Sequence, residues 1–467
     1  TRYDVAGRLS PAVLQRLGVT VAPWFAGSAP VEATLTGSDG GADRGHVRVD
    51  LTSAALSVPR LNWDKPGGLD ARLTSTLVFP DDGSVRFEQL ALSGPGADVT
   101  GSVKIGSAGR VAQASVSRFR LGAHDLTGRY DRTAGGAHVI SVDARSIDLR
   151  GLLPGPSDDA PTPDSHRAAP SAAPSAEAEG AAGPRISLAI RSDRILAANG
   201  QQFEDVDMAL DLAGSRPLAG RLSLAHAGAP VSTTLAPGPD ETRRLVLSAA
   251  DTGGLLRGLG MFANIDGGVL EAEAELSFAE AGVRARGDVV VRNFRLLRTE
   301  ALAAQVDTGT AGDLSDFVGE GGLRFNRLTL PFDLTDRAID LTNVIANGPR
   351  LGLTLEGEIA RDFSRLNVNG TVVPIYRFNA LINQIPIVGD FLLGGEGEGL
   401  FALNYRVAGP MADPDVSVNR LSVLAPGLLR RFFDGPKCRL GDLPDAPQPP
   451  QAGADEATPG ARLEDGG

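Results

Sequence analysis

Residues 269–278 read VLEAEAELSF, and their alternation decides the fold class. Leu270, Ala272, Ala274, Leu276 and Phe278 fall on one side of an extended chain, and Glu271, Glu273, Glu275 and Ser277 on the other. Strand side chains alternate with period two, so this segment predicts a strand with one dry face and one wet face. Outward from it the pattern recurs. Segments near 283–291 and 323–330 follow it, as do Leu351, Leu353 and Leu355. On the N-terminal side Ile186, Leu188 and Ile190 alternate, and so do Val47 and Val49 against Arg48 and Asp50. Val85 and Phe87 are followed by Leu90 and Leu92, a parity change that predicts a bulge. Turn signals such as Pro80-Asp81-Asp82-Gly83 and Gly135-Gly136 separate these segments at hairpin intervals. The expected fold is mostly β, an antiparallel meander of many strands with a few short helices.

Composition agrees. The 467 residues include 58 glycines and 31 prolines with only 5% aromatics, as suits many short strands joined by turns. The single cysteine, Cys438, leaves no internal disulfide and no thiolate metal site. Net charge is -12, but seven of those charges sit in 154–183 and 436–467, two segments of Pro, Ala, Gly and acid that read as a disordered linker or loop and a disordered tail. Without a basic stripe, nucleic acid is not an expected partner. No run of 18 apolar residues is present, and the chain begins at Thr1 without a signal-like stretch, so it reads as a fragment whose anchor lies upstream. The expected organisation is a strand-rich segment over 1–153, the linker over 154–183, a second strand-rich domain with a helical cap over 184–435, and the tail over 436–467.

Helices are expected near 10–18, 252–262, 300–319, 376–393 and 424–433. Ser10-Pro11 opens the first with an N-cap and a proline at the first helical position, and Asp251 caps the second, where Leu255, Leu256, Leu259 and Phe262 form an apolar stripe. The densest signature is Leu366–Gly435. There Leu366, Val368, Gly370 and Val372 share one face, as do Phe401, Leu403, Tyr405 and Val407. Between these strands Phe378, Leu381, Ile382 and Ile385 recur at helical spacing, Pro386 interrupts, and Val388, Phe391 and Leu392 resume. A last apolar helix carries Leu424, Leu428, Arg430, Arg431, Phe432 and Phe433.

That order, GTVVP, a Leu-Ile-rich helix, IPIVGDFLLGGEGEGLFALNYRVAGPMADPDVSVN and LAPGLLRRFF, resembles the C-terminal domain of the AsmA-like envelope proteins of Gram-negative bacteria, of the YhdP and TamB kind. The resemblance is dense over about 250–435 and weaker over 1–150. It implies that the strands of 1–153 and 184–435 form a long antiparallel curved sheet, a repeating β-groove with a few short capping helices, which is periplasmic, inner-membrane-anchored and conducts phospholipid between the inner and outer membranes without catalysis or cofactor. Phospholipid acyl chains, a membrane surface and envelope proteins are the implied partners; a scaffold for outer-membrane protein biogenesis is the alternative. On this reading Leu270, Ala272, Leu276, Phe278, Leu353, Leu355, Phe401, Leu403, Tyr405 and Val407 line the groove. Phe378, Leu381, Ile382, Phe391, Leu428, Arg430, Arg431, Phe432 and Phe433 form the cap or meet the membrane.

Other motifs carry less. The GGEGEG run 394–399 lacks the Lys-Ser/Thr of a phosphate loop and precedes a strand, so it reads as a tight turn. Glu396 and Glu398 read as solvated turn acids, and the row Glu271, Glu273, Glu275 as a wet sheet face. His46, His124, His138, His166 and His226 lack metal-ligand spacing and are expected at surface or edge positions. About 18 strands at ~4.8 Å spacing would give a groove on the order of 85 Å. Alternation alone leaves open whether its apolar face is a trough or one side of a closed sandwich.

Overall fold

The structure, a computed structural model, describes residues 1–16, 24–38, 41–151, 183–197, 200–261, 264–279, 282–297, 322–374, 403–411, 414–419 and 439–442. Twenty-two strands form one unclosed, curved sheet, and three short ones, Phe25–Ala26, Ala55–Val58 and Trp63–Lys65, form a small second sheet. In the large sheet nearly every strand pairs antiparallel with the next along the chain, from Arg2–Leu9 against Ala29–Thr36 at one edge to Leu403–Pro410 against Asp415–Asn419 at the other. At about 4.8 Å per strand the sheet runs on the order of 100 Å along its contour, longer than the strand count from sequence implied.

One joint breaks the antiparallel rule. His138–Asp148 and Arg185–Leu196 pair in parallel, with Ile140 beside Leu188 and Val142 beside Ile190. The chain leaves the sheet after Asp148 at one rim and re-enters at Arg185 at the opposite rim, so the connection between them returns it across the strand direction. A parallel pair requires such a crossover, and a hairpin turn cannot supply it. The strands on both sides of 154–183 therefore belong to one sheet.

The two rims differ. At one, strands join through tight turns, including 214–215, 238–242, 335–337 and 361–364. At the other, the longer connections leave and return: 10–28, 51–71, 250–264, 297–322 and 375–402. We call these the hairpin rim and the looped rim. The expected helices at 10–18 and 252–262 appear as Pro11–Arg16 and Thr252–Gly258, both at the looped rim. Those expected at 300–319, 376–393 and 424–433 lie outside the described residues.

The helix Thr252–Gly258 is capped as read from sequence, with the Asp251 side chain accepting from Gly254 N–H. Its packing differs in part. Leu255 is buried as the stripe requires, Leu259 is exposed and Phe262 lies outside the described residues; the rest of the contact with the sheet is made by Thr252, Gly253, Gly254 and Gly258. A Cβ at Gly258 would stand 2.9 Å from the Phe203 ring, and one at Gly253 would strike the Ile265 carbonyl. Glycine is what lets the helix backbone approach so closely. Beneath it Phe203, Val231, Leu270, Val291, Phe294 and Phe325 form the largest buried cluster, with Phe294 stacked on Phe325 at 5.2 Å.

The predicted bulge is present. The register between Val85–Gly94 and Ala97–Ile105 shifts between Phe87 and Leu90, and Gln89 adopts φ 51°. Asp205 and Asn343 sit at equivalent shifts with φ 51° and 53°. An extra residue bends its strand and increases the local twist, which curls the sheet.

Lys65 is packed inside the looped rim at 1% exposure, where its Nζ donates to the carbonyls of Leu51 at 2.8 Å and Ala54 at 2.7 Å. Burial pushes its pKa down, partly offset by Asp50 and Asp70. The ammonium thereby satisfies loop carbonyls that no strand partner reaches.

Candidate functional site

A single register row crosses all 22 strands of the large sheet. Through the first six it reads Tyr3, Leu35, Gly45, Leu77, Phe87 and Val103. It continues through Ala114, Tyr130, Ile140, Leu188, Leu210 and Gly220. Next come Leu235, Leu245, Ala274, Gly287 and Phe332. Leu341, Gly357, Val368, Val407 and Val416 complete it. Residues directly opposite in a ladder share a face, so this is a continuous track of apolar side chains, aromatic rings and glycines.

Burial along the track decides its character. Gly45, Ala274, Leu341 and Val368 are buried and Tyr3 is 46% exposed, while the remaining members are only half-buried. The core of a sandwich would bury nearly all of them, because a second sheet about 10 Å away would fill the space above. Full burial is instead concentrated towards the looped rim, in the cluster under Thr252–Gly258 and in the groups around Phe25 and Trp63, and in one further cluster of Leu341, Val344, Leu366 and Val368 across the C-terminal strands. One side of the apolar face is thus sealed by loops and a helix. The middle is an apolar trough, open among the described residues.

The outer face is polar and charge-paired. Arg244 meets Glu273 at 2.5 Å, Arg292 meets Glu271 at 2.8 Å and Arg286 meets Asp333 at 2.5 Å, all well exposed. Such exposed pairs are worth about 0–1 kcal/mol each, so their role is to keep the outside wet and mixed in sign. The row Glu271, Glu273, Glu275 is a wet face, as expected.

The candidate lining residues fall as follows. Ala272, Leu276, Phe278, Leu353, Leu355, Tyr405 and Val407 are half-buried, and their registers place them on the apolar face. Leu403 pairs with Val372 on the same ladder. Leu270 is 7% exposed beneath the helix and forms part of the seal, not of the open wall. Phe401, Phe378, Leu381, Ile382, Phe391, Leu428, Arg430, Arg431, Phe432 and Phe433 lie outside the described residues, as does the 394–399 run.

Tyr405 shows how the wall is finished at the C-terminal end. Its ring lies over Gly370, and its hydroxyl donates to the Thr354 carbonyl at 2.9 Å. Burial raises its pKa well above the usual phenol value. A Cβ at Gly370 would strike both the Thr354 carbonyl and the Tyr405 hydroxyl, so the glycine makes room for the ring. On the outer face at this end, Asn367 is fully buried: it donates to the Arg439 carbonyl at 2.6 Å and accepts from Arg406 Nε at 3.0 Å.

Two histidines depart from expectation. His124 and His226 are 3% and 7% exposed, and His226 is held by Gln201 at 3.1 Å against the Phe203 ring. Both stand at the looped rim, where loops cover strand ends that would otherwise be edge positions. His46 is exposed, and His138 is half-buried with Nδ1 2.8 Å from the Tyr130 hydroxyl. Among the described residues no group of His, Cys, Asp or Glu is arranged to hold a metal ion. Sequence reading also passed over Arg216, Arg243 and Glu241, which meet at the hairpin rim beside Phe278. Their signal was only a pair of arginines interrupting apolar strands.

No family model, curated protein or solved structure matches this chain.

Proposed function

We propose that this chain is a segment of a periplasmic lipid-conducting groove that carries phospholipid between the inner and outer membranes without catalysis. The observation that carries the reading is the 22-strand apolar track left half-buried along its length. Apolar surface on this scale must be covered by something, and monomeric proteins rarely leave more than a few hundred Å² of it contiguous. Acyl chains fit the shape: the track is narrow, long and without inward charge in its central row. A polar outer face and one sealed rim leave the opposite rim for headgroups to stay in water. The resemblance of Leu366–Gly435 to the AsmA-like envelope proteins points to the same cargo and compartment.

Mass spectrometry of the purified chain tests this. Co-purifying diacyl phospholipid, displaced by added detergent, is the expected result. A lipid-free chain that also fails to accelerate phospholipid exchange between vesicles would leave the scaffold reading in its place.

A further inference from the structure

We propose that Arg216 and Arg243, beside Phe278, form a clamp for the anionic phosphodiester headgroup of a lipid lying in the trough, and that the Glu241 carboxylate holds the Arg216 side of this clamp when no lipid is bound. The proposal rests on the trough reading and names the headgroup chemistry that the trough selects.

The geometry begins with Arg243. Its register partners are Pro237 and Leu276, which puts it on the apolar face at the hairpin rim, whereas the next residue, Arg244, points outward to Glu273. Arg216 opens a strand two places along the sheet, and its guanidinium lies 5.3 Å from the centroid of the Phe278 ring. Both guanidinium groups converge on one oxygen. Arg216 Nη2 donates to the Glu241 carbonyl at 2.9 Å, and Arg243 Nη1 donates to the same carbonyl at 3.0 Å. Arg216 also reaches the Glu241 carboxylate at 3.3 Å. Two cations meeting at one acceptor is the arrangement that an oxyanion with several lone pairs completes.

Two further features point to a ligand. Arg216 Nε and Arg243 Nε are both buried without a hydrogen-bond partner, so each guanidinium keeps donor capacity that its surroundings do not use. The turn that supplies Glu241 is held in an unfavourable conformation, with Asp240 at φ 48° and Glu241 at φ 61°. Left-handed backbone at two successive non-glycine residues is costly and persists where surrounding contacts over-determine it. Here those contacts include the two arginines. The Glu241 side chain is itself 83% exposed and can swing away from Arg216 at little cost, while the main-chain carbonyl keeps the two guanidinium groups together.

The position fits an amphiphile. Near the hairpin rim Arg243 pairs with Leu276, which continues through Ala285 to Leu334, and further along the sheet Arg132 pairs with His138, which continues through Ile186 to Leu212. An acyl chain laid along the central track would place its phosphate at this rim, where Phe278 offers the glycerol an apolar shelf.

The test measures binding of fluorescent phosphatidylglycerol, and of a diacylglycerol with the same acyl chains, to the whole chain, wild type and variant. Arg216→Gln combined with Arg243→Gln should weaken phosphatidylglycerol by roughly tenfold or more, the scale of charge-assisted hydrogen bonds, and leave diacylglycerol unchanged. Glu241→Gln should tighten phosphatidylglycerol alone. Wild-type affinity for phosphatidylglycerol in the double variant overturns the clamp. Should the double variant not fold, Glu241→Gln decides, and unchanged affinity there overturns it. Soluble glycerophosphoglycerol displacing the lipid as effectively as phosphatidylglycerol would show a site for free phosphodiesters and overturn the lipid assignment. Failure of wild type to bind either lipid would count against the trough reading itself.

Discussion

Leu245 and Val246 are neighbours on one strand and face opposite sides of the sheet, which makes them a direct probe of the open trough. Leu245 is half-buried in the central track between Leu235 and Ala274, and Val246 is 40% exposed on the outer face opposite Glu273. Replacing Leu245 with Asp gives up about half the transfer free energy of a leucine, roughly 1 kcal/mol, because the carboxylate remains in reach of water. The same change at Val291, which is 4% exposed beneath the Thr252–Gly258 helix, buries an unpaired charge at about 4–5 kcal/mol or more, a large part of the 5–15 kcal/mol that typically holds a fold. Leu245→Asp should therefore stay folded and Val291→Asp should not. For cargo the order of severity reverses. An acyl chain sliding past residue 245 must strip water from the carboxylate, and a barrier of about 3 kcal/mol slows passage by about 100-fold. Val246→Asp, outside the path, costs a few tenths of a kcal/mol from the facing Glu273 and should leave transfer intact. Dye-labelled phospholipid exchange between vesicles reads the rate, and urea unfolding reads the stability. Equal transfer by the 245 and 246 variants, or unfolding of Leu245→Asp to the same degree as Val291→Asp, would refute the trough and restore a packed interior.

Other outcomes follow from single contacts. Lys65→Met removes the Nζ donor from the Ala54 carbonyl and leaves the Leu51 carbonyl with only the Ala54 N–H, a loss of about 1–3 kcal/mol, and should lower the urea midpoint accordingly. Because burial lowers the Lys65 pKa, the folded chain binds fewer protons than the unfolded one between the two pKa values; wild-type stability should rise as pH climbs through that alkaline window, and the variant should lack the slope. Asp340 behaves oppositely: burial, with Glu358 and Asp333 adding, raises its pKa, so its contribution is full in acid and is lost as pH rises through the folded value. Asp340→Asn should be the more stable protein at neutral pH by thermal unfolding, and a less stable one would refute the assignment. Gly370→Ala should displace the Tyr405 ring and cost more than the ~1 kcal/mol expected for Tyr405→Phe, which loses only the bond to Thr354; intrinsic tyrosine fluorescence with urea titration separates the two.

By itself the sequence determined what a local rule can reach. Alternation from Leu270 to Phe278 set the strand and sorted its faces, since side-chain direction in a strand depends only on residue parity. The change of parity between Phe87 and Leu90 announced its bulge, because an inserted residue must flip the faces on one side of it. Asp251 marked its helix start through a bond three residues away. What lay beyond was non-local. The helical stripe held for Leu255 and failed at Leu259, because glycines, able to approach the sheet more closely, took much of the packing face. His124, His226 and Lys65 were buried by loops that only the folded chain brings over them. The parallel joint depended on which rim the chain returned to after Asp148. Half-burial of the central track and convergence of Arg216 and Arg243 on Glu241 were decided by registers between strands. Each strand carries its faces in its own residues, but what covers a face is settled only when all the strands have been laid side by side.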